Sequence, residues 1–178
     1  MNPRHIVESL IQTPAARKEI WAYAVNRGLG EGMQIEHWLL IEMAARLMEL
    51  KSKGIVQRAE GEHKFPIAQV KMFEHCDLWW ATNESEHWLE VKTIVVGAKK
   101  TLGSGKDIVR DVAKRQRLRA TDSFHHLAVI FPLDENGIGA WRKMLDSIYQ
   151  NADMELDAQW RFPLWDEKQL ALFLYSAR

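Results

Sequence analysis

The run His87-Trp-Leu-Glu-Val-Lys-Thr-Ile-Val-Val96 constrains this chain more than any other: it is a strand rich in β-branched residues with two charges at its centre. A period of two sends Glu90 and Lys92 to one face and Leu89 and Val91 to the other. Unpaired buried charge is costly, so the pair needs a compensating partner. Asp77 lies thirteen residues earlier, on the strand candidate Gln69–Thr82, and comes beside Glu90 if the turn falls near Asn83 to Ser85. Two carboxylates meeting there repel each other unless a cation sits between them, and a divalent metal supplies that cation.

Spacing alone does not select this site. The chain holds four acidic-x-Lys triplets: Glu49-Leu-Lys51, Glu62-His-Lys64, Glu90-Val-Lys92 and Asp166-Glu-Lys168. The first reads as helical, where residues two apart point to different faces. The last opens an expected helix, where an acidic first turn already has a dipole explanation. Glu62 and Lys64 sit in a polar stretch without an apolar frame. Glu90 and Lys92 alone lie inside an apolar strand.

Around that strand, residues 3–12 read as a short helix stopped near Thr13-Pro14, and 15–27 as a second helix closed by Gly28 and Gly30. Met33 to Lys53 carries the strongest helical pattern, with Trp38, Ile41, Ala45 and Met48 as its apolar stripe, widened by Leu40, Ala44 and Leu47. Gly54 ends it. Residues 55–65, 69–82 and 87–96 then form a three-stranded antiparallel meander. Asp107 to Ala120 reads as a basic helix, His126 to Leu133 as a strand and Gly139 to Gln150 as a helix. A strand at 159–164 and a final helix from Glu167 to Tyr175 follow.

At 178 residues the chain suits one domain, with 1–32 as a helical extension, 33–133 as the core and 134–178 as a C-terminal extension. Formal net charge is zero, so any attraction to nucleic acid must come from a local patch. A single cysteine, Cys76, excludes an intrachain disulfide framework and fits a reducing cytoplasm. The first residues lack the apolar run of a signal peptide, and no stretch reaches the roughly 18 apolar residues of a membrane span. A cytoplasmic protein without membrane contact is expected.

Asp77 followed by Glu90-Val-Lys92, after a long helix with an internal Glu, resembles the PD-(D/E)xK nuclease superfamily. The resemblance covers roughly Met33 to Val129 in element order: helix, three-strand meander, helix, strand. The run Glu42-Met-Ala-Ala-Arg-Leu-Met-Glu-Leu-Lys-Ser-Lys-Gly54 is similar to the Glu-bearing first helix of the resolvase-like branch. Cys76 stands where the family name puts Pro. The resemblance implies an α/β fold with a restriction-endonuclease-like core, a mixed central β-sheet flanked by helices. It also implies a catalytic set of Glu42, Asp77, Glu90 and Lys92. Asp77, Glu90 and the Val91 carbonyl would ligate Mg²⁺ or Mn²⁺, for which hard oxygen donors are suited. Lys92 would orient or deprotonate the attacking water, or stabilise developing charge. Glu42 would complete the site, with Glu36 the weaker candidate.

Between Lys99 and Arg119 eight basic residues face two acidic ones, a local balance of +6. Lys106, Arg110, Lys114 and Arg117 follow helical spacing and, with Lys99 and Lys100, form a cationic stripe suited to phosphate contacts. Ile108, Val109, Val112 and Leu118 form the opposite, apolar side. Trp88 shares the face of Glu90 and is a candidate to stack on a base or cap a groove, whereas Trp80 and Trp21 read as core. Leu102-Gly-Ser-Gly-Lys-Asp107 fails as a phosphate loop, lacking the first Gly and the final Ser or Thr. The histidines lack zinc spacing.

The expectation is a metal-dependent nuclease hydrolysing phosphodiester bonds, with DNA the favoured substrate and a homodimer the simplest arrangement for double-strand cleavage. The alternatives are a non-catalytic nucleic-acid-binding module of the same fold and a Trp-rich protein-interaction domain.

Overall fold

The computed structural model describes residues 2–26, 32–64, 75–96, 108–113 and 123–177. Three helices lead: α1 (Pro3–Ala16), α2 (Lys18–Asn26) and α3 (Gly32–Ser52). Strands β1 (Arg58–Lys64), β2 (His75–Ala81) and β3 (Glu86–Val95) follow, then α4, helical over 108–113. The chain continues through β4 (Ser123–Leu133), α5 (Glu135–Gln150), β5 (Met154–Pro163) and β6 (Gln169–Ala177).

These strands make one six-stranded sheet in the order β1-β2-β3-β4-β6-β5. β3 and β4 run parallel and the other neighbours antiparallel, so the sheet is mixed. Helices cover both faces. Leu10, Trp21, Leu39 and Met43 of α1, α2 and α3 pack on Leu78, Trp80, Val91, Val129 and Leu172. On the other face Ile108 and Val112 of α4 and Leu145 and Tyr149 of α5 pack on Trp79, Trp88, Ile94, Ala128 and Phe173. The protein is therefore α/β with helices flanking a mixed central sheet, and residues 134–177 supply two of its six strands. No helix among the described residues is long and apolar enough to cross a membrane.

Several boundaries differ from expectation for identifiable reasons. α1 runs through Pro14 to Ala16 because the proline lies in the last turn, where its carbonyl accepts from Arg17 N–H at 3.1 Å and from Trp21 Nε1–H at 2.9 Å. Trp21 then meets Trp38 and Phe131 edge-on, fixing the corner between α1 and α2 against β4. α5 starts at Glu135 rather than Gly139, since the Asp134 carboxylate caps it by accepting from Gly137 N–H at 2.8 Å. Gly54 ends α3 as expected: its φ is 71°, and Ile55 N–H reaches back to the Leu50 carbonyl at 3.0 Å.

Two expectations are overturned. The final helix from Glu167 to Tyr175 is strand β6, inserted between β4 and β5. Its run Leu170 to Tyr175 is buried on both faces, and such a continuous apolar segment carries no period of two to separate strand from helix. Asp166 and Glu167, read as an acidic first turn, sit at positive φ in the β5–β6 turn. The stripe of α3 is also rotated. Ile35, Leu39, Met43, Leu47 and Leu50 form its buried face, while Ile41 is 69% exposed and Met48 and Ala45 also face outward. Both sets recur at helical spacing, and packing against the sheet chooses between them.

Met43→Ala should therefore lower stability by about 2–5 kcal/mol, and Ile41→Ala by no more than about 0.5 kcal/mol. Urea denaturation of the two variants checks this, and equal losses would contradict the observed rotation of α3.

Candidate functional site

The site is created by a fork in the sheet. β2 and β3 pair from Ala81↔Glu86 as far as Leu78↔Leu89, and there their ladder stops. Among the described residues, β3 continues to Val95 on β4 alone. Backbone groups of alternate residues along a strand point to the same side, so Val91 and Thr93 turn towards the place β2 has left. Their N–H groups need acceptors. Asp77 Oδ2 takes the Val91 N–H at 2.7 Å, and Glu36 Oε2 takes the Thr93 N–H at 2.7 Å.

Both residues come from where the fold dictates. Asp77 is the first residue of β2 beyond the paired stretch, opposite Glu90 if the register were continued by one step. Glu36 lies in the second turn of α3, which packs over β3. Its second oxygen accepts from Lys92 Nζ at 3.0 Å, and both side chains of that ion pair are largely withdrawn from solvent. Glu90, only 2% exposed, lies in the register of His126 on β4. The Val91 carbonyl shares the side of its N–H, and so also faces the fork. Asp77 and Lys92 thus meet the fork through Val91 and Glu36, with Glu90 between Leu89 and Val91 on the same strand.

Glu42 is not gathered with them. Its carboxylate pairs with Arg17 at 2.9 Å, and Glu36 is the α3 acid that meets Lys92. Six residues along a helix amount to a rotation of about 240° and a rise of about 9 Å, so one helix cannot present both acids to one point. The missed signal is the placement of Glu36 on the first turns of α3, at the end that overlies the fork.

Cys76 sits beside the carboxylates. Its thiol donates to the Leu78 and Leu89 carbonyls at 3.0 and 3.1 Å. Burial first, then the charges of Glu90 and Asp77, push its pKa well up, so it stays a neutral thiol. Trp79 and Trp88 are core, their ring centroids 6.1 Å apart, and Trp88 is too deeply buried to stack on a base or cap a groove.

Of the cationic stripe, Arg110 falls within the described part of α4, where it is exposed with its Nε 3.9 Å from Asp111. Val109 is exposed too, so it does not belong to the apolar side of that helix. Lys99, Lys100, Lys106, Lys114 and Arg117 lie outside the described residues.

The donor chemistry at the fork fits a hard divalent cation. Two carboxylates, Asp77 with one oxygen committed to Val91 N–H, stand with one backbone carbonyl. Magnesium commonly takes only one or two protein carboxylates and completes its shell with water and phosphate. Among the described residues no group of three or more His, Cys, Asp or Glu side chains is assembled as a metal cluster. Any such centre would therefore be sparse in protein ligands. Comparison with known proteins finds no matching family model, curated protein or solved structure.

Glu36→Ala removes a carboxylate partner from Lys92 and the side-chain acceptor of the Thr93 N–H, and should cost about 2–3 kcal/mol. Glu42→Ala, losing a half-exposed pair with Arg17, should cost no more than about 1 kcal/mol. Chemical denaturation separates the two, and the reverse ranking would remove Glu36 from the fork.

Proposed function

We propose that the fork is the active site of a metal-dependent nuclease with a restriction-endonuclease-like core, hydrolysing phosphodiester bonds and acting on DNA. The observation that carries this reading is the meeting of Asp77, Glu90, the Val91 carbonyl and a Glu36-held Lys92 where β2 leaves β3. A structural ion pair alone would explain Lys92 and Glu36. The Val91 N–H accounts for Asp77, but neither contact gives a reason for Glu90 to lie buried in the same stretch of β3.

In this reading Asp77, Glu90 and the Val91 carbonyl hold Mg²⁺ or Mn²⁺. The bound ion would acidify a water and offset charge on the phosphate. Asp77 is oriented by its hydrogen bond to Val91 N–H, which fixes the carboxylate at the edge of β3. Glu90 is held by a strand that is buried along nearly its whole length, so its carboxylate has little freedom. Glu36 anchors Lys92 at 3.0 Å and holds its ammonium beside the fork. There Lys92 can orient an attacking water or neutralise charge developing on a phosphate oxygen. Glu36 thereby replaces Glu42 as the helix acid of the site. The basic stretch from Lys99 to Arg119, which follows β3, supplies phosphate contacts along the substrate.

The test is cleavage of single-stranded, duplex and branched DNA, and of RNA, with and without Mg²⁺ or Mn²⁺. Cation-dependent cleavage is expected, reduced at least about 100-fold by Asp77→Ala or Lys92→Ala. Wild-type cleavage by both variants would dismiss the site. Salt-sensitive binding without turnover would identify a non-catalytic nucleic-acid-binding module instead.

A further inference from the structure

On the face covered by α1 to α3, a hydrogen-bonded chain that serves no purpose in the proposed chemistry crosses the sheet. Ser85 Oγ, in the turn before β3, lies 2.8 Å from His87 Nε2. His87 Nδ1 on β3 is 3.2 Å from His125 Nε2 on β4. His125 Nδ1 is 2.7 Å from Ser176 Oγ on β6, which in turn donates to Asp157 Oδ2 on β5 at 3.3 Å. After the first link, each of the three that follow advances one strand in the order β3-β4-β6-β5.

The end of the chain fixes its direction. A carboxylate only accepts, so Ser176 donates to Asp157 and accepts from His125 Nδ1–H. His125 Nε2 is then an acceptor and takes His87 Nδ1–H. His87 Nε2, in turn, accepts the Ser85 hydroxyl. Both imidazoles are neutral, and both carry their proton on Nδ1.

We propose that Ser85, His87, His125, Ser176 and Asp157 form an acid-releasable clasp, holding β3, β4, β6 and β5 together at one end of the sheet while both imidazoles stay neutral. A first proton fits only if His87 and Ser85 reverse their roles. A second sets donor against donor between two cations whose nitrogens are 3.2 Å apart. Both rings are buried and lie flat against Trp80, with centroids 5.2 and 6.0 Å from its ring, so solvent cannot spread that charge.

Burial pushes His87 down to about 4. Burial and then the neighbouring His87 push His125 down to about 3. From β5 the facing charge is Asp157, which acts through Ser176 and favours a proton on His125. The Arg58–Glu86 pair lies on the opposite face, where Arg58 covers Trp79. The unfolded chain takes up both protons near the ordinary histidine value of about 6.5, whereas the folded chain takes them up only below about 4. The clasp therefore stabilises fully above about pH 6.5 and progressively less as pH falls towards 4.

Proton–nitrogen correlation spectra of the imidazoles, recorded on the whole chain, test the direction of the clasp. Near neutral pH the wild type should show Nδ1–H on both His87 and His125, and Asp157→Asn should release that preference at His125. Nε2–H on either ring of the wild type, or titration of either ring near the ordinary value in the folded protein, would overturn the proposal. Between about pH 6.5 and 5 the unfolding constant of His125→Gln should vary with pH about 10-fold less per unit than the wild type, reflecting one proton fewer. Equal slopes would also overturn it. Should His125→Gln not fold, the tautomers of the wild type and Asp157→Asn still decide.

Discussion

The parting of β2 from β3 beyond the Leu78–Leu89 pair governs what surrounds it. A strand that loses a neighbour halfway along leaves its backbone donors to be satisfied by something else, and here Asp77 and Glu36 do so. Acidic side chains at this point are thus required by β3 before any chemistry is considered. Once they are there, Lys92 has a counter-ion and Glu90 has an acidic neighbour across the fork. The groups that β3 needs for its own backbone are the ones the proposed chemistry would use. This explains why charge is concentrated in the middle of an otherwise apolar strand.

The two faces of the sheet handle polarity differently. Beneath the helical layer of α1 to α3 the polar groups are strung along a single line of histidines and serines. On the other face His126 Nδ1 meets the Tyr149 hydroxyl at 2.7 Å, Tyr149 stacks on Tyr175, and Tyr175 donates to Asp146 at 2.6 Å. Burial drives the pKa values of both tyrosines up, so they remain neutral hydrogen-bonding groups inside the layer of α5. Eight tryptophans fit the same picture, since none of them is an exposed side chain among the described residues.

The sequence carried the local elements well where a period or a cap was present. α3, the β2–β3 hairpin and the meander follow from helical spacing, Gly54 and the alternation around Glu90. The proximity of Asp77 to Glu90 was legible because a hairpin of known turn position fixes its own register. β6 was not legible, because an apolar run buried on both sides has no period to betray it. Nor was the choice between Glu36 and Glu42. That choice depends on which turn of α3 overlies the fork, a matter of rigid packing that spacing within the helix does not encode. The His87–His125 chain was equally hidden, since its members lie 38 residues apart and meet through the parallel pairing of β3 and β4.

The insertion of β6 between β4 and β5 bears on the order in which the molecule can assemble. β5 is made before β6 but, among the described residues, has no strand to pair with until β6 is in place, because its neighbour in the sheet is β6. β4 waits for the same segment on that side, and α1 rests partly against β5. Half of the sheet is therefore closed by a strand made after both of its neighbours. During synthesis the exposed flank of β4 and the unpaired β5 are open to pairing with other chains, a vulnerability that ends when residues 169–177 slide into the gap.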